Sequence, residues 1–318
     1  MRLFQNSAYK FIESRKKAYV VSGVVIALGI AAMILNVATI GSWQNYGVDF
    51  TGGSLIQVRF DEPTTDAALR AALGGADAPP VTRFGTENEY VIRAPIDDDS
   101  SINEVAEAVE TQIAAVYSAG SFEVVRTELV GAKVGSELQL KALYAILFSF
   151  LLTLLYLAFR FETRFGMAAV IATAHDMLIT LGFLAVFKVE IALPTVAAIL
   201  TIVGYSLNDT IVVFDRVREN LQKKGARKRD PTDLVNGSIN ETLPRTVLTS
   251  GTTLAVLMAL LILGGPVLFD FTLVLILGVV IGTYSSVFVA SPALIEIQKR
   301  FGTGQSSEKK KKIEPATV

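Results

Sequence analysis

Gly204–Asn220, GYSLNDTIVVFDRVREN, sets Asn208 and Asp209 inside an otherwise apolar segment, Leu193 to Phe214, that is long enough to cross a bilayer. An ionisable side chain at that depth costs at least about 3 kcal/mol, so it reads first as a site of ion or substrate movement with a partner elsewhere in the chain. Asp215 follows about 9 Å further along the helix, at its wet end. Asp209 is pulled two ways: desolvation favours its neutral form, and a nearby cation would favour its charged form. That balance suits a group that loads and releases protons. The same Asp could instead cap or glue neighbouring helices, and Asn208 could do no more than bond across them.

The rest of the chain is of the same character. It has 318 residues, is 51% hydrophobic with mean hydropathy +0.48, and carries a net charge of −1, which is too apolar for an ordinary soluble domain. Its lack of cysteine excludes disulfides, thiolate metal sites and cysteine nucleophiles. Apolar runs of spanning length occur at Ala18–Ile40, Leu138–Phe159, Phe165–Phe187, Leu193–Phe214, Val247–Leu263 and Val267–Ala290, which predicts six transmembrane helices. Residues 1–17 read as a basic N-terminus, 215–246 as a loop and 291–318 as a tail. The first run is too long for a signal peptide and lacks a small-residue cleavage site, so it reads as a retained anchor.

Charge orients these spans. Lys10, Arg15, Lys16 and Lys17 precede the first span, and Arg160 and Arg164 follow the second. Arg216, Arg218, Lys223, Lys224, Arg227, Lys228 and Arg229 follow the fourth, and Lys299, Arg300 and Lys309 to Lys312 the sixth. All fall on one side, so the positive-inside rule places both termini in the cytoplasm. The Lys309–Lys312 run then needs no nucleic-acid partner.

The remaining segment, 41–137, carries 6 Lys and Arg against 16 Asp and Glu, a net −10, and falls on the extracytoplasmic side. Leu55–Phe60 has strand character, and Thr64–Leu73 reads as a helix with Thr as cap. Val81–Phe84 and Tyr90–Arg93 form a hairpin around Gly85. A helical period runs through Ile102, Val105, Val109, Ile113 and Val116, and a last strand covers Phe122–Leu129. The order βαββαβ is that of the split βαβ, ferredoxin-like pattern. The glycines after Thr51, Gly52 and Gly53, could cradle phosphate, but no P-loop Lys follows, and a tight turn at the membrane surface is the simpler reading.

Other polar residues sit beside or within the spans. Arg245 is a candidate cation for Asp209, and Thr246, Thr249, Ser250, Thr252 and Thr253 continue a hydroxyl-rich face behind it. Protonating the Asp would break such a pair and free the Arg; the alternative is that Arg245 snorkels to headgroups. His175 and Asp176 lie near mid-membrane in the third span. Adjacent helical positions point about 100° apart, so the two are not expected to share a site, and Asp176 is the better candidate to face Asp209. Each could serve a proton relay or a structural bond. Gly278 and Gly282 have the GxxxG spacing of a close helix contact, within the bundle or with a partner.

Several blocks taken in order, VDFTGG at Val48–Gly53, FRFE at Phe159–Glu162, AHD at Ala174–Asp176, the opening stretch, RTVLTSGTT at Arg245–Thr253 and IGTYSSVFVASP at Ile281–Pro292, resemble the SecF members of the SecD/SecF family of protein-export membrane proteins. The resemblance implies a six-span half of a resistance-nodulation-division-like bundle that pairs with SecD and works beside the SecYEG channel, with YajC and YidC as further partners. Its substrate would be an unfolded translocating polypeptide. Drive would come from the proton-motive force, with H+ as coupling ion, Na+ as the alternative, and no cofactor. The family's intramembrane Asp then matches Asp209 and its proton-linked Arg matches Arg245. Thr163, where Trp is frequent, and Pro244 before the Arg depart from the pattern. A proton-coupled small-molecule antiporter half would share these buried charges, but would normally need both halves and larger outer domains. An intramembrane hydrolase finds one His, no nucleophile elbow and no HExxH.

Overall fold

The long apolar runs become helices because only a helix satisfies every backbone polar group within itself in hydrocarbon. The computed structural model describes residues 8–75, 78–84, 88–94, 102–118, 120–223 and 229–301. A 3-10 turn, Ile12–Ser14, leads into α1 (Arg15–Ile40). Then come a short α2 (Val48–Thr51), β1 (Gly53–Phe60), α3 (Asp66–Ala72), β2 (Val81–Phe84), β3 (Glu89–Ala94), α4 (Ile102–Ala114) and β4 (Phe122–Val130). The chain returns through α5 (Ala132–Arg160), α6 (Thr163–Phe187), α7 (Leu193–Gln222), α8 (Pro231–Leu263) and α9 (Pro266–Ser285). A π-helical turn at Ser286–Ala290 joins α9 to α10 (Ser291–Phe301). Six of these stretches are long and apolar enough to span a membrane.

The spans are not equivalent. About half of the apolar window is buried in α6, α7 and the α9–α10 stretch, against 17% or less in α1, α5 and α8, so the first three form the centre of the bundle. Close approach depends on glycine. A Cβ on Gly29 would stand 2.6 Å from the Gly182 Cα, which presses α1 onto α6 backbone to backbone. Gly278 and Gly282 seat α9 on α7, where added methyls would meet the Ile202 side chain at 2.1 Å and the Ser206 Cβ at 2.9 Å. The GxxxG seam is therefore internal to the bundle.

At the end remote from the α/β domain, α7 and α8 run on past their apolar runs, so the loop expected at 215–246 is mostly helix. Polar side chains hold the two extensions together. Arg216 bonds Glu219 at 2.6 Å and also reaches Glu241, and the Asn220 amide donates to Ser238 at 2.9 Å. Asp230 caps α8 by accepting from the Thr232 N–H at 2.7 Å, with Pro231 in the first turn. The N-terminal segment is fastened here too, Ile12 N–H donating to Asn236 at 3.0 Å. The helix continues through Pro244, which withdraws one backbone bond beside Arg245.

The domain is ferredoxin-like, an antiparallel sheet in the order β2-β3-β1-β4 with α3 and α4 on one face. Ile56, Val58 and Phe60 alternate inward from β1 onto Leu69, Val109 and Ile113. The cap of α3 is Thr65, whose hydroxyl accepts from Ala68 N–H at 3.2 Å; Thr64, expected in that role, instead accepts the Tyr90 hydroxyl on its carbonyl at 2.7 Å. Val116, expected on the inward face, lies past the end of α4 and is exposed. Gly85 lies outside the described residues.

The domain is clasped to the bundle at the α6–α7 turn. Gly47 N–H donates to the Ile191 carbonyl at 2.9 Å, Ile191 N–H to the Asn45 carbonyl at 2.8 Å, and the Asn45 amide to the Lys188 carbonyl at 2.9 Å. Asp49 accepts from Leu193 N–H at 2.9 Å, which puts a carboxylate on the N-terminus of α7. From β3, Arg93 pairs with Glu190 at 3.0 Å. Burial pushes the Glu190 carboxyl above its ordinary range, Arg93 opposes that, and the charges of Asp270 and Asp49 add to the push.

Two predictions follow from this packing. Gly182→Val should lower the stability of the detergent-solubilised protein by about 1–3 kcal/mol through overpacking, whereas Gly23→Val, with nothing within 4 Å of its Cβ position, should leave the melting temperature unchanged; equal effects would refute the α1–α6 contact. At the clasp, the raised Glu190 means the folded form holds that proton more tightly, so docking weakens as pH rises out of the ordinary glutamate range. Glu190→Gln should flatten this dependence and keep the Gly47 and Ile191 amides protected, measured by hydrogen exchange corrected for intrinsic rate. Arg93→Ala strands the carboxylate and should lose protection by on the order of 3 kcal/mol. Equal loss in both variants would contradict the assignment.

Candidate functional site: two buried carboxylates

Asp209 lies on the buried arc of α7 and is 7% exposed. Its Oδ1 accepts from the Thr246 hydroxyl of α8 at 2.8 Å, and its Oδ2 from the Ser286 hydroxyl at 3.3 Å, at the first residue of the π turn. Three spans thus converge on one carboxylate. Further hydroxyls line the same seam, Ser250 with Thr283 at 2.7 Å and Tyr205 with Thr253 at 3.4 Å.

Asp176, on α6, is 2% exposed. Its Oδ2 accepts from Ser285 at 2.7 Å and, in a short contact, from Ser206 of α7. Its Oδ1 faces His175 Nδ1 at 2.8 Å, and His175 Nε2 meets the Ser22 hydroxyl of α1 at 2.9 Å. Ser22 lies 3.2 Å from the Tyr284 hydroxyl, which donates to the Ala18 carbonyl at 3.0 Å, and the Tyr284 ring stacks on His175. His175 and Asp176 therefore do share a site, against the expectation from helical angle. Both lie on the broad buried arc of α6, between α1 on one side and α7 with α9 on the other, and their polar ends turn toward each other inside that dry interior.

Arg245 stands elsewhere. It is exposed, and no ion pair joins it to Asp209 among the described residues; its neighbour Thr246 takes the carboxylate instead. With Thr246 facing inward, the preceding residue must face about 100° away. Asn208 and Thr249 are exposed on the same outward side of α7 and α8. Asp215 is half-exposed and pairs with Arg160 of α5 at 3.1 Å. Gly282 packs against Ser206, so the glycine seam also sets the reach of one Asp176 donor. Among the described residues no group of three or more metal-ligating side chains comes together.

Several members of this network went unassigned from the sequence: Ser22, Ser206, Tyr284, Ser285 and Ser286. A signal was present in the Ser285–Ser286 pair, two small polar residues in an apolar span, but isolated serines are common there and their partners lie on other helices. Chemically, the arrangement is two carboxyl groups removed from water, each with two hydroxyl partners and, among the described residues, neither with an Arg or Lys at bonding distance. Hydroxyls both donate and accept, so they can serve a carboxylate with or without its proton.

Comparison with known proteins places the chain. Residues 108–300 match the family described as protein export membrane protein SecD/SecF, C-terminal, and residues 45–64 match the SecD/SecF GG motif. A protein translocase subunit SecF of Gemmatimonas aurantiaca is 43% identical over 95% of this chain and 90% of its own length, and one of Vibrio alginolyticus is 46% identical over 84% of each. The crystal structure of SecDF, a translocon-associated membrane protein from Thermus thermophilus, superposes with a TM-score of 0.78 at 37% identity, covering 94% of this chain; this chain spans only 40% of that longer one. The GG motif is the α2–β1 turn, where Gly52 and Gly53 take positive φ and a Cβ added at Gly53 would stand 3.0 Å from the Ala94 carbonyl oxygen. The chain belongs to the SecD/SecF family of protein-export membrane proteins.

Proposed function

We propose that this chain is the SecF half of a SecD–SecF unit that uses the proton-motive force to promote late stages of protein export, with Asp209 as the group that takes up and releases the proton. The observation that carries this reading is Asp209 itself, a carboxylate at mid-span held by hydroxyls from two other spans rather than by an Arg or Lys. Such a group finds a hydrogen-bond partner in either protonation state, because a hydroxyl donates to the carboxylate and accepts from the acid.

Arg245 and the outward polar face support the pairing. Asn208, Arg245 and Thr249 lie at hydrocarbon depth on the exposed side of α7 and α8, and polar groups there need a covering partner. A second six-span half provides that cover, and the SecDF structure is longer than this chain by more than half its length. In this reading SecD packs on the α7–α8 face and the basic ends lie in the cytoplasm. The ferredoxin-like domain lies in the periplasm, where it acts on polypeptide emerging from the SecYEG channel, with YajC and YidC as further partners. One proton crossing 100 mV releases about 2.3 kcal/mol. That biases a sliding chain over several cycles but does not unfold a stable domain. The energy reaches the substrate as motion of the outer domain, since the clasp ties that domain to the start of α7, the helix that carries Asp209.

Asp209→Asn should assemble with SecD and abolish proton-dependent stimulation of export in membrane vesicles, and normal stimulation would remove Asp209 from the mechanism. Arg245→Ala should give the same loss if the Arg completes the cycle by turning toward Asp209. The double variant should then be no worse than either single one, and additive losses would show that the two act independently.

A further inference from the structure

Ser285 and Ser286 each have one hydroxyl hydrogen and two acceptors within reach. Ser285 lies 2.7 Å from Asp176 Oδ2 and 3.1 Å from the Gly282 carbonyl three residues back. Ser286 lies 3.3 Å from Asp209 Oδ2 and 2.9 Å from the Thr283 carbonyl three residues back. A hydroxyl has a single hydrogen to donate, so in each serine the carboxylate and the helix backbone compete for it. The distances show the pair set oppositely, Ser285 toward its carboxylate and Ser286 toward the helix.

The competition takes place at the entrance to the π turn, where the last span departs from α-helical register. Ser291 closes the other end by donating to the Ser286 carbonyl at 2.8 Å. Single π turns inside α-helices frequently mark functional positions, since they are a register the backbone can leave. Beyond the turn lies α10, packed against α6.

We propose that Ser286, with Ser285 beside it, is a positioning residue that reads the charge on Asp209 and passes it to the last span. With Asp209 ionised, the Ser286 hydrogen is drawn to Oδ2 and away from the Thr283 carbonyl. When a proton arrives on Oδ2, the new O–H donates to the Ser286 oxygen and the serine hydrogen returns to the Thr283 carbonyl. No covalent bond changes except the one to the arriving proton. Because Ser285 is the next residue and holds Asp176, a shift of the turn alters both carboxylates together. Around them, among the described residues, lie the guanidinium of Arg245 on α8, one residue before the Asp209 donor Thr246, and the titratable ring of His175 on α6 against Asp176.

The inference rests on the proposed proton role of Asp209, and the test separates the two. The SecD–SecF complex in lipid vesicles would be compared as wild type, Asp209→Asn, Ser286→Ala and Ser286→Thr. The readouts are proton-dependent export stimulation against pH and hydrogen exchange of the Thr283–Ser291 amides against pH. Ser286→Ala should cut the proton-dependent stimulation about tenfold, the value of one hydrogen bond to a charged group. It should also remove the pH dependence of exchange in the π turn, and Ser286→Thr, which keeps the hydroxyl, should restore both. If the alanine variant fails to accumulate in membranes, Ser286→Cys, of the same shape with a weaker donor, takes its place. A wild-type pH profile and wild-type exchange in Ser286→Ala, beside a dead Asp209→Asn, would overturn the reader and leave the proton site standing. Loss without rescue by Thr would show only a packing role and would equally overturn it. Unaltered stimulation in Asp209→Asn would mean the underlying reading had failed.

Discussion

A carboxylate in the dry centre of a helix bundle must be given hydrogen-bond donors, and meeting that requirement at Asp209 organises much of this molecule. The donors come from Thr246 on α8 and Ser286 in the last span, so three helices must meet at one depth. For α7 and α9 to meet closely enough, residues facing the Ile202 and Ser206 side chains must be glycine. The Asp176 site repeats the solution with Ser206 and Ser285 and extends it through His175 to α1. Hydroxyls suit this task better than an Arg or Lys would. A fixed cation would hold the carboxylate charged, whereas a hydroxyl can donate to the ionised form and accept from the protonated one.

The same helix that carries Asp209 is held at its start by the α/β domain. Asp49 sits on the first turn of α7, and the α6–α7 connection is threaded by backbone bonds to the segment before the GG turn. Gly53 is favoured there because its φ is positive and a Cβ would crowd the Ala94 carbonyl oxygen at 3.0 Å. The Asp49 and backbone bonds tie the start of α7 directly to the root of β1.

Much of this was legible in the sequence because its signals are strong and local. Hydrocarbon demands long apolar runs, and a buried Asp stands out in GYSLNDTIVV. The βαββαβ alternation was also legible, down to most strand positions. The misjudged features were those set by a third dimension. Helical angle alone parted His175 from Asp176, yet a broad buried arc let them meet. Arg245 was a natural partner for Asp209 by depth, but facing gave the position to Thr246. The segment 215–246 looked like a loop because its residues are polar, whereas its described residues are mostly helical, with polar side chains of the two helices bonding one another. Gly29 and Gly182 carry no shared motif, so only packing reveals their contact.

The central claim is that Asp209 changes protonation inside the bundle. Infrared difference spectra of the SecD–SecF complex in lipid, recorded as pH is stepped, test it most directly. The account predicts a protonated-carboxyl band that grows as pH falls, disappears in Asp209→Asn, and changes frequency in Thr246→Val, which deletes one donor to that carboxylate. A spectrum in which no carboxyl band titrates, or in which the titrating band is unchanged by Asp209→Asn, would contradict it.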